Sequence, residues 1–129
     1  MSLRSFTKLY ALAKAGDTQA LLVHLAELAA EYPEDKDPPN WALVAAAEEN
    51  QLETVATLLE HGANVEGASE RTHIRPLWKA AKRGHLEMVK LLVSKGANIE
   101  STDKLGLSAL DYAKRYSNSN VVEYLESLR

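Results

Sequence analysis

The chain has 129 residues, of which 46% are hydrophobic and 26% charged, and it carries a formal net charge of −3. These values are typical of one ordinary globular domain, and the absence of cysteine excludes disulfides, thiol nucleophiles and cysteine-ligated zinc. Because no apolar run is long enough to span a membrane and the N-terminus lacks secretory-signal features, we expect an intracellular protein, cytoplasmic or nuclear.

The first part of the chain predicts a pair of helices. Leu9 and Ala13 are spaced for the inner face of one helix, and Gly16 ends it. A second helix is predicted from about Thr18 to Tyr32, with four leucines on its inner side, at positions 21, 22, 25 and 28. We expect His24 in this helix to be a partly exposed packing residue. The acidic, proline-rich sequence PEDKDPP at 33–39 ends the helix and forms a linker.

The same arrangement returns along the chain at a step of about 34 residues. Three stretches share one template, starting at Leu43, Leu77 and Leu110: an apolar start, a pair of small residues, a pair of charged or polar residues, a turn and a second apolar run. A fixed period of this length indicates a solenoid, in which successive helix pairs stack into one continuous core.

The unit from 76 to 99 shows the predicted helix pair most clearly. Pro76 suits the first turn of a helix, and Gly84 suits its end. A second helix then starts near Leu86, and Gly96 closes it. The unit is therefore predicted to be a helix, a tight turn, a second helix and a projecting loop.

The sequence PLWKAAKRGHLEMVKLLVSKGAN at 76–98 resembles the ankyrin repeat, and DKLGLSAL at 103–110 is similar to the turn that opens one. The resemblance covers residues 40–129 well and residues 1–39 loosely. It implies an all-α ankyrin-repeat solenoid of about four helix-turn-helix units with terminal capping repeats. The predicted divisions are an N-terminal capping helix pair with its linker at 1–39, repeats at 40–73 and 74–107, and a C-terminal capping repeat at 108–129.

The projecting loop, or finger, between Gly62 and Leu77 departs from the family pattern. It is one residue longer than the next finger and lacks the Asp and Gly of the usual tight turn. The histidine that normally braces neighbouring fingers is absent from all three units. We therefore expect the finger at 66–75 to have an altered shape.

The sequence contains no recognisable catalytic set. Its four histidines do not share a helix face, and phosphate-binding loops and nucleophile elbows are missing. His61 and His85 fall where ankyrin repeats commonly carry a structural histidine. We therefore predict a non-catalytic protein with no cofactor and no metal site, although an enzyme built on an ankyrin scaffold remains an alternative.

The resemblance implies that the two residues after the small pair face the concave groove, and here these are Glu48-Glu49, Lys82-Arg83 and Arg115-Tyr116. Stacking sets the acidic pair beside the basic one, which is compatible with ion pairs between repeats or with a basic groove for a partner. Trp78 and Trp41 are compatible with a contact to a partner or with packing in place of the missing histidines. The candidate partner-binding residues are Arg71, His73, Arg75, Trp78, Lys79, Lys82, Arg83, Lys104, Leu105, Tyr112, Arg115 and Tyr116.

The charge distribution suggests the chemistry of the partner. Residues 1–69 contain 4 Lys/Arg and 11 Asp/Glu, whereas residues 70–129 contain 11 and 7. The function predicted from the resemblance is that of a scaffold or adaptor module, which binds a protein or peptide of acidic character on the concave face formed by the inner helices and fingers. We expect no nucleic-acid or membrane partner and a monomer rather than a homo-oligomer. The alternative is an oligomerising or regulatory scaffold domain of a larger assembly.

Overall fold

A computed structural model describes residues 2–67 and 74–129. Helices account for all the regular secondary structure in these two ranges. The eight helices are α1 (Leu3–Ala15), α2 (Thr18–Glu31), α3 (Pro38–Glu48), α4 (Leu52–Glu60), α5 (Pro76–Arg83), α6 (Leu86–Ser94), α7 (Ala109–Arg115) and α8 (Ser119–Ser127). The predicted all-α fold of four helix pairs is confirmed.

The local signals set the ends of the helices. Pro76 occupies the first turn of α5, where its missing N–H has no partner to lose, and Gly84 ends the helix with φ 75°. At α7, the Ser108 side chain accepts a hydrogen bond from the Asp111 N–H while the Asp111 carboxylate accepts one from the Ser108 N–H. This reciprocal capping box fixes the start of the helix that faces the candidate site.

The helix pairs form two layers. The first helices of the pairs (α1, α3, α5 and α7, here called the inner helices) pack side by side in chain order. The second helices (α2, α4, α6 and α8, the outer helices) each pack against the inner helix of the same pair. Small side chains permit this close approach: every residue of α3 from Ala42 to Ala47 is buried. The core therefore runs continuously from the first pair to the last, as a solenoid requires.

One polar side chain at the start of each outer helix after the first reaches back to the preceding unit. The Gln51 side chain donates to Lys14 O (2.9 Å), and His85 Nε2 donates to Glu48 O (2.9 Å). Asn118 Nδ2 donates to both Ala81 O (2.8 Å) and Lys82 O (2.9 Å). These three residues, here called the clasp residues, occupy one repeat position, and each donates to backbone carbonyls in the last turn or at the end of the preceding inner helix. The structural role predicted for His85 is the one observed.

The N-terminal part of the chain differs from the sequence prediction in two details. Helix α3 begins at Pro38, two residues before the predicted repeat boundary, because prolines are compatible with the first helical positions. The prediction for His24 was wrong: the residue is 5% exposed, and its Nε2 lies 3.0 Å from Ser5 O. It takes the position that Leu58 and Leu92 occupy in later units.

The leucines of α2 also divide differently from the prediction. Leu21 and Leu28 are buried in the core, whereas Leu22 and Leu25 are half-buried. The period of an α-helix places only every third or fourth residue directly against α1. Among the described residues, no helix has the length and apolar character needed to cross a membrane.

Candidate functional site

An open cavity of about 330 Å³ lies in the second half of the solenoid, where α5 and α7 face the finger between α6 and α7. Six of the predicted site residues line it: Trp78, Lys79, Lys82, Lys104, Leu105 and Tyr112. Ile74 and Asp103 also line it and were not predicted as site residues. Asp103 begins the finger-turn sequence recognised above, which was the available signal for including it.

Two aromatic rings form the fixed part of the cavity wall. Trp78 is only 8% exposed, and its ring centroid lies 6.5 Å from that of Tyr112. The Trp78 indole N–H donates to Ser101 O at 3.3 Å, which ties α5 to the finger. Trp78 is therefore mainly a packing residue, and a molecule in the cavity would meet the part of its ring that remains open.

Asp103 holds the finger in shape. Its Oδ1 accepts hydrogen bonds from the N–H groups of Leu105 (2.9 Å) and Leu107 (3.0 Å), and its Oδ2 accepts one from the Tyr112 hydroxyl. The tyrosine hydrogen bond, followed by the backbone ones, lowers the pKa of Asp103. The same bond raises the pKa of Tyr112 to about 12, because the phenol proton is shared with a carboxylate. Leu105 is thus displayed, 79% exposed, on a well-braced turn.

The ion pairs between the units account for part of the predicted basic surface. Glu48 on α3 lies 3.4 Å from Lys79 Nζ and 2.8 Å from Arg83 Nη2, both on α5. Glu49 lies 3.7 Å from Lys14 Nζ on α1. Each such pair contributes only about 0–1 kcal/mol near the surface. Lys79 and Arg83 are therefore partly neutralised by the preceding unit before any partner approaches.

Other cations at the site have no carboxylate within ion-pair distance among residues 2–67 and 74–129. Lys82 Nζ lies 5.3 Å from the centroid of the Tyr116 ring, and Lys104 is exposed on the finger. Arg115 is also exposed, at the end of α7. Among the described residues of the site, the positive charge available to an incoming anionic group is therefore concentrated on Lys82, Lys104 and Arg115.

Comparison with known proteins bears directly on this arrangement of units. A sequence model of the family described as ankyrin repeats (3 copies) matches residues 43–127. The chain belongs to the ankyrin-repeat family. Ankyrin repeats generally act as protein–protein interaction modules and are typically non-catalytic. A search of curated proteins found no match to the chain.

The remaining predicted residues of this ankyrin-repeat chain lie around the cavity or outside the described ranges. Arg75 forms an ion pair with Glu66, and its guanidinium lies 5.6 Å from the Trp78 ring centroid. Arg83, Arg115 and Tyr116 are exposed toward the ends of the inner helices and do not line the cavity. Arg71 and His73, with most of the altered finger, lie outside the described residues.

The bracing between fingers uses side chains that the sequence analysis missed. The Glu66 carboxylate accepts a hydrogen bond from the Asn98 N–H at 2.9 Å as well as pairing with Arg75. In the preceding unit, Oδ1 of Asn40, in the first turn of α3, accepts a hydrogen bond from the Asn64 N–H at 2.8 Å. The Glu66–Asn98 contact joins adjacent fingers of the ankyrin stack at a position other than the missing histidine, whereas the Asn40–Asn64 contact ties a finger to an inner helix. Within the described ranges, no group of three His, Asp or Glu side chains is arranged to hold a metal ion.

Proposed function

We propose that the concave face of the second half binds a partner protein or peptide, with the cavity between α5, α7 and the last finger at the centre of the contact. The observation that carries this proposal is that an open, partly apolar cavity is lined by two lysines, Lys82 and Lys104, that form no ion pair with any described carboxylate. Apolar recesses with a few well-placed polar groups are the usual form of a binding site.

The charge of the site favours an acidic partner. Lys82 and Lys104 line the cavity, and Arg115 lies on the adjoining helix. Charges of this kind steer the encounter with an oppositely charged surface and select against basic partners. The acidic first half of the chain would repel the same partner, which would confine docking to the second half.

The test compares two double variants in partner capture from the source lysate. Lys82→Glu with Lys104→Glu reverses the charge at the cavity, while Lys8→Glu with Lys95→Glu reverses two exposed lysines that do not line it. Lys79 and Arg83 are left unchanged because reversing them would set like charges beside Glu48. We expect a partner that the wild type and control retain and the cavity variant loses. Equal retention by both variants would contradict the proposed site.

Self-association is a second candidate, because the first unit exposes large apolar side chains. Leu3 is 81% exposed and Val23 60%, whereas Leu91, which occupies the repeat position of Val23, is half-buried. Exposed apolar surface favours contact with another protein surface. Sedimentation over a range of concentrations separates the candidates: a mass that rises with concentration, and falls in a Val23→Glu variant, supports an oligomerising module. A constant monomer mass argues against it.

A further inference from the structure

We propose that the cavity selects a short extended peptide motif: one large apolar side chain that enters the cavity, with acidic residues close to it on both sides. This inference rests on the proposed function and specifies what the partner must present. It follows from the size of the cavity, the rigidity of its walls and the placement of the charges at its edge.

The size and lining of the cavity favour a single apolar side chain. At about 330 Å³ it lies near the lower end of the range for pockets that hold whole small molecules. Ile74 and Leu105 are 38% and 79% exposed and face the cavity together with Trp78 and Tyr112. Covering these apolar surfaces is favourable in proportion to the area removed from water. A side chain the size of leucine or phenylalanine would cover this apolar surface, whereas alanine would leave most of it exposed to water.

The walls are already held in place without a ligand. The Trp78 indole is bonded to Ser101 O, the Tyr112 hydroxyl to Asp103, and the Asp103 carboxylate to the Leu105 N–H. These bonds join α5, α7 and the finger around the cavity. A pre-organised site loses less conformational entropy on binding, so the shape of the entering side chain should affect affinity strongly.

The charges predict acidic neighbours rather than further apolar ones. Lys82 is on α5 and Lys104 is on the finger, so the two ammonium groups come from separate elements that line the cavity. Neither forms an ion pair with any carboxylate in the described parts of the chain, while Lys79 is occupied by Glu48. Asp103, the acidic residue of the lining within residues 2–67 and 74–129, is engaged by three hydrogen-bond donors. Carboxylates before and after the apolar residue would therefore meet one lysine each.

The experiment is a selection from a displayed library of random peptides on the intact chain. We expect the enriched peptides to share one large apolar residue with Asp or Glu within about two residues on each side, as successive residues of an extended peptide point to alternate sides. Enrichment of purely acidic peptides, of apolar peptides without acidic residues, or of no common motif would overturn the inference. None of these results would by itself contradict groove binding of a partner captured from lysate, so the two failures are distinguishable.

A synthetic peptide of the selected sequence then allows matched comparisons. Replacing its apolar residue with alanine should weaken binding about 10-fold to 100-fold, and replacing its acidic residues with amides should weaken binding and reduce its salt dependence. On the protein side, Leu105→Ala and Lys104→Gln should weaken binding, while Leu3→Ala and Lys95→Gln should not. Equal affinity for the apolar and alanine peptides would contradict insertion into the cavity.

The tryptophan content of the chain offers a direct readout of where the peptide sits. The chain has 2 tryptophans, Trp41 and Trp78, so a Trp41→Phe variant leaves only the cavity residue. We expect the emission of Trp78 in this variant to shift when the selected peptide binds and to remain unchanged with the alanine peptide. Binding without any change in Trp78 emission would show that the peptide binds outside the cavity and would overturn the inference.

Discussion

The two halves of the solenoid have similar backbones but use the same repeat positions differently. In α3, Val44 and Ala45 are 4% and 0% exposed and are therefore taken up entirely by packing inside the fold. The equivalent positions of α5 hold Trp78 and Lys79, and both line the cavity. A face of small residues allows close stacking of helices, whereas larger and charged residues at the same positions line a recess with aromatic and cationic groups. The repeat thus supplies the scaffold, and the side chains at a few positions determine which part of it has a binding site.

The halves also depend on each other at their junction. Glu48 in the acidic half contacts Lys79 and Arg83 in the basic half, and His85 reaches back to Glu48 O. The opposite charges predicted from the sequence therefore partly neutralise each other where the units stack. What remains for a partner is the smaller set of cations around the cavity.

The first prediction tests whether the aromatic residue of the basic half is truly a packing residue. Trp78→Ala should lower the free energy of unfolding by about 3–5 kcal/mol, since the ring is almost completely buried. Trp41→Ala, which removes a half-buried ring packed edge-on against Phe6, should cost less, about 1–2 kcal/mol. Chemical denaturation measures both. Similar losses for the two variants would remove the distinction between the halves at this position.

The second prediction concerns the junction itself, where Gly67 packs between the two halves. Its φ is +61°, and a Cβ built there would lie 2.5 Å from Pro76 Cδ and 2.9 Å from Val44 Cγ2. Gly67→Ala should therefore destabilise the fold by about 2–4 kcal/mol, through backbone strain and overpacking.

Gly62 provides a matched control for that prediction. It also has a positive φ, +93°, but an added Cβ would meet no atom within 4 Å. Gly62→Ala should cost only about 1 kcal/mol, from the backbone alone. If thermal or chemical unfolding gave equal losses for the two glycines, the close packing at the junction would not matter for stability.

The third prediction compares the clasp residues of the two halves. Asn118→Ala removes donors from two carbonyls, Ala81 O and Lys82 O, in a partly buried site and should cost about 1–3 kcal/mol. Gln51→Ala removes one exposed bond, to Lys14 O, and should cost about 0.5–1 kcal/mol. Denaturant midpoints for the two variants give the comparison, and a larger loss for Gln51→Ala would reverse our ranking of the junctions.

The smallest effect on stability is expected at the finger, where pH is the better probe. The raised pKa of Tyr112 means that its hydrogen bond stabilises the fold fully below pH 10 and is lost as pH rises through about 12. The lowered pKa of Asp103 means that its contribution is present above about pH 4 and is lost as pH falls further.

Asp103→Asn should remove both effects together. Without the carboxylate, the pKa of Tyr112 should fall back toward 10.0, which the phenolate absorbance of the variant would show. Glu100→Gln, on the same finger but paired with Arg129, is the control and should leave the titration unchanged. An unaltered late-titrating tyrosine in Asp103→Asn would show that another group raises this pKa.

Much of the fold was predictable because its signals are local or periodic. Pro76 and Gly84 mark the ends of α5, and the spacing of Leu43, Leu77 and Leu110 marks the repeat. The period also indicates that His24 is buried, because the same repeat position holds a buried leucine in the later units. The prediction of partial exposure was wrong because it followed the polarity of histidine rather than its position in the repeat.

The chain by itself determined the number of helix pairs, the positions of their turns and the uneven distribution of charge, since each depends on residue type and spacing along one helix or one repeat. The tertiary structure was needed to show which cations form ion pairs with Glu48 and that Trp78 is buried. It was also needed to show that Ile74 and Asp103 line the cavity. These outcomes depend on how side chains from separate units meet after stacking. The repeat register predicted that Glu48-Glu49 would lie beside Lys82-Arg83, but the pairing of Glu48 with Lys79 and Arg83 rather than with Lys82 depends on side-chain placement after stacking.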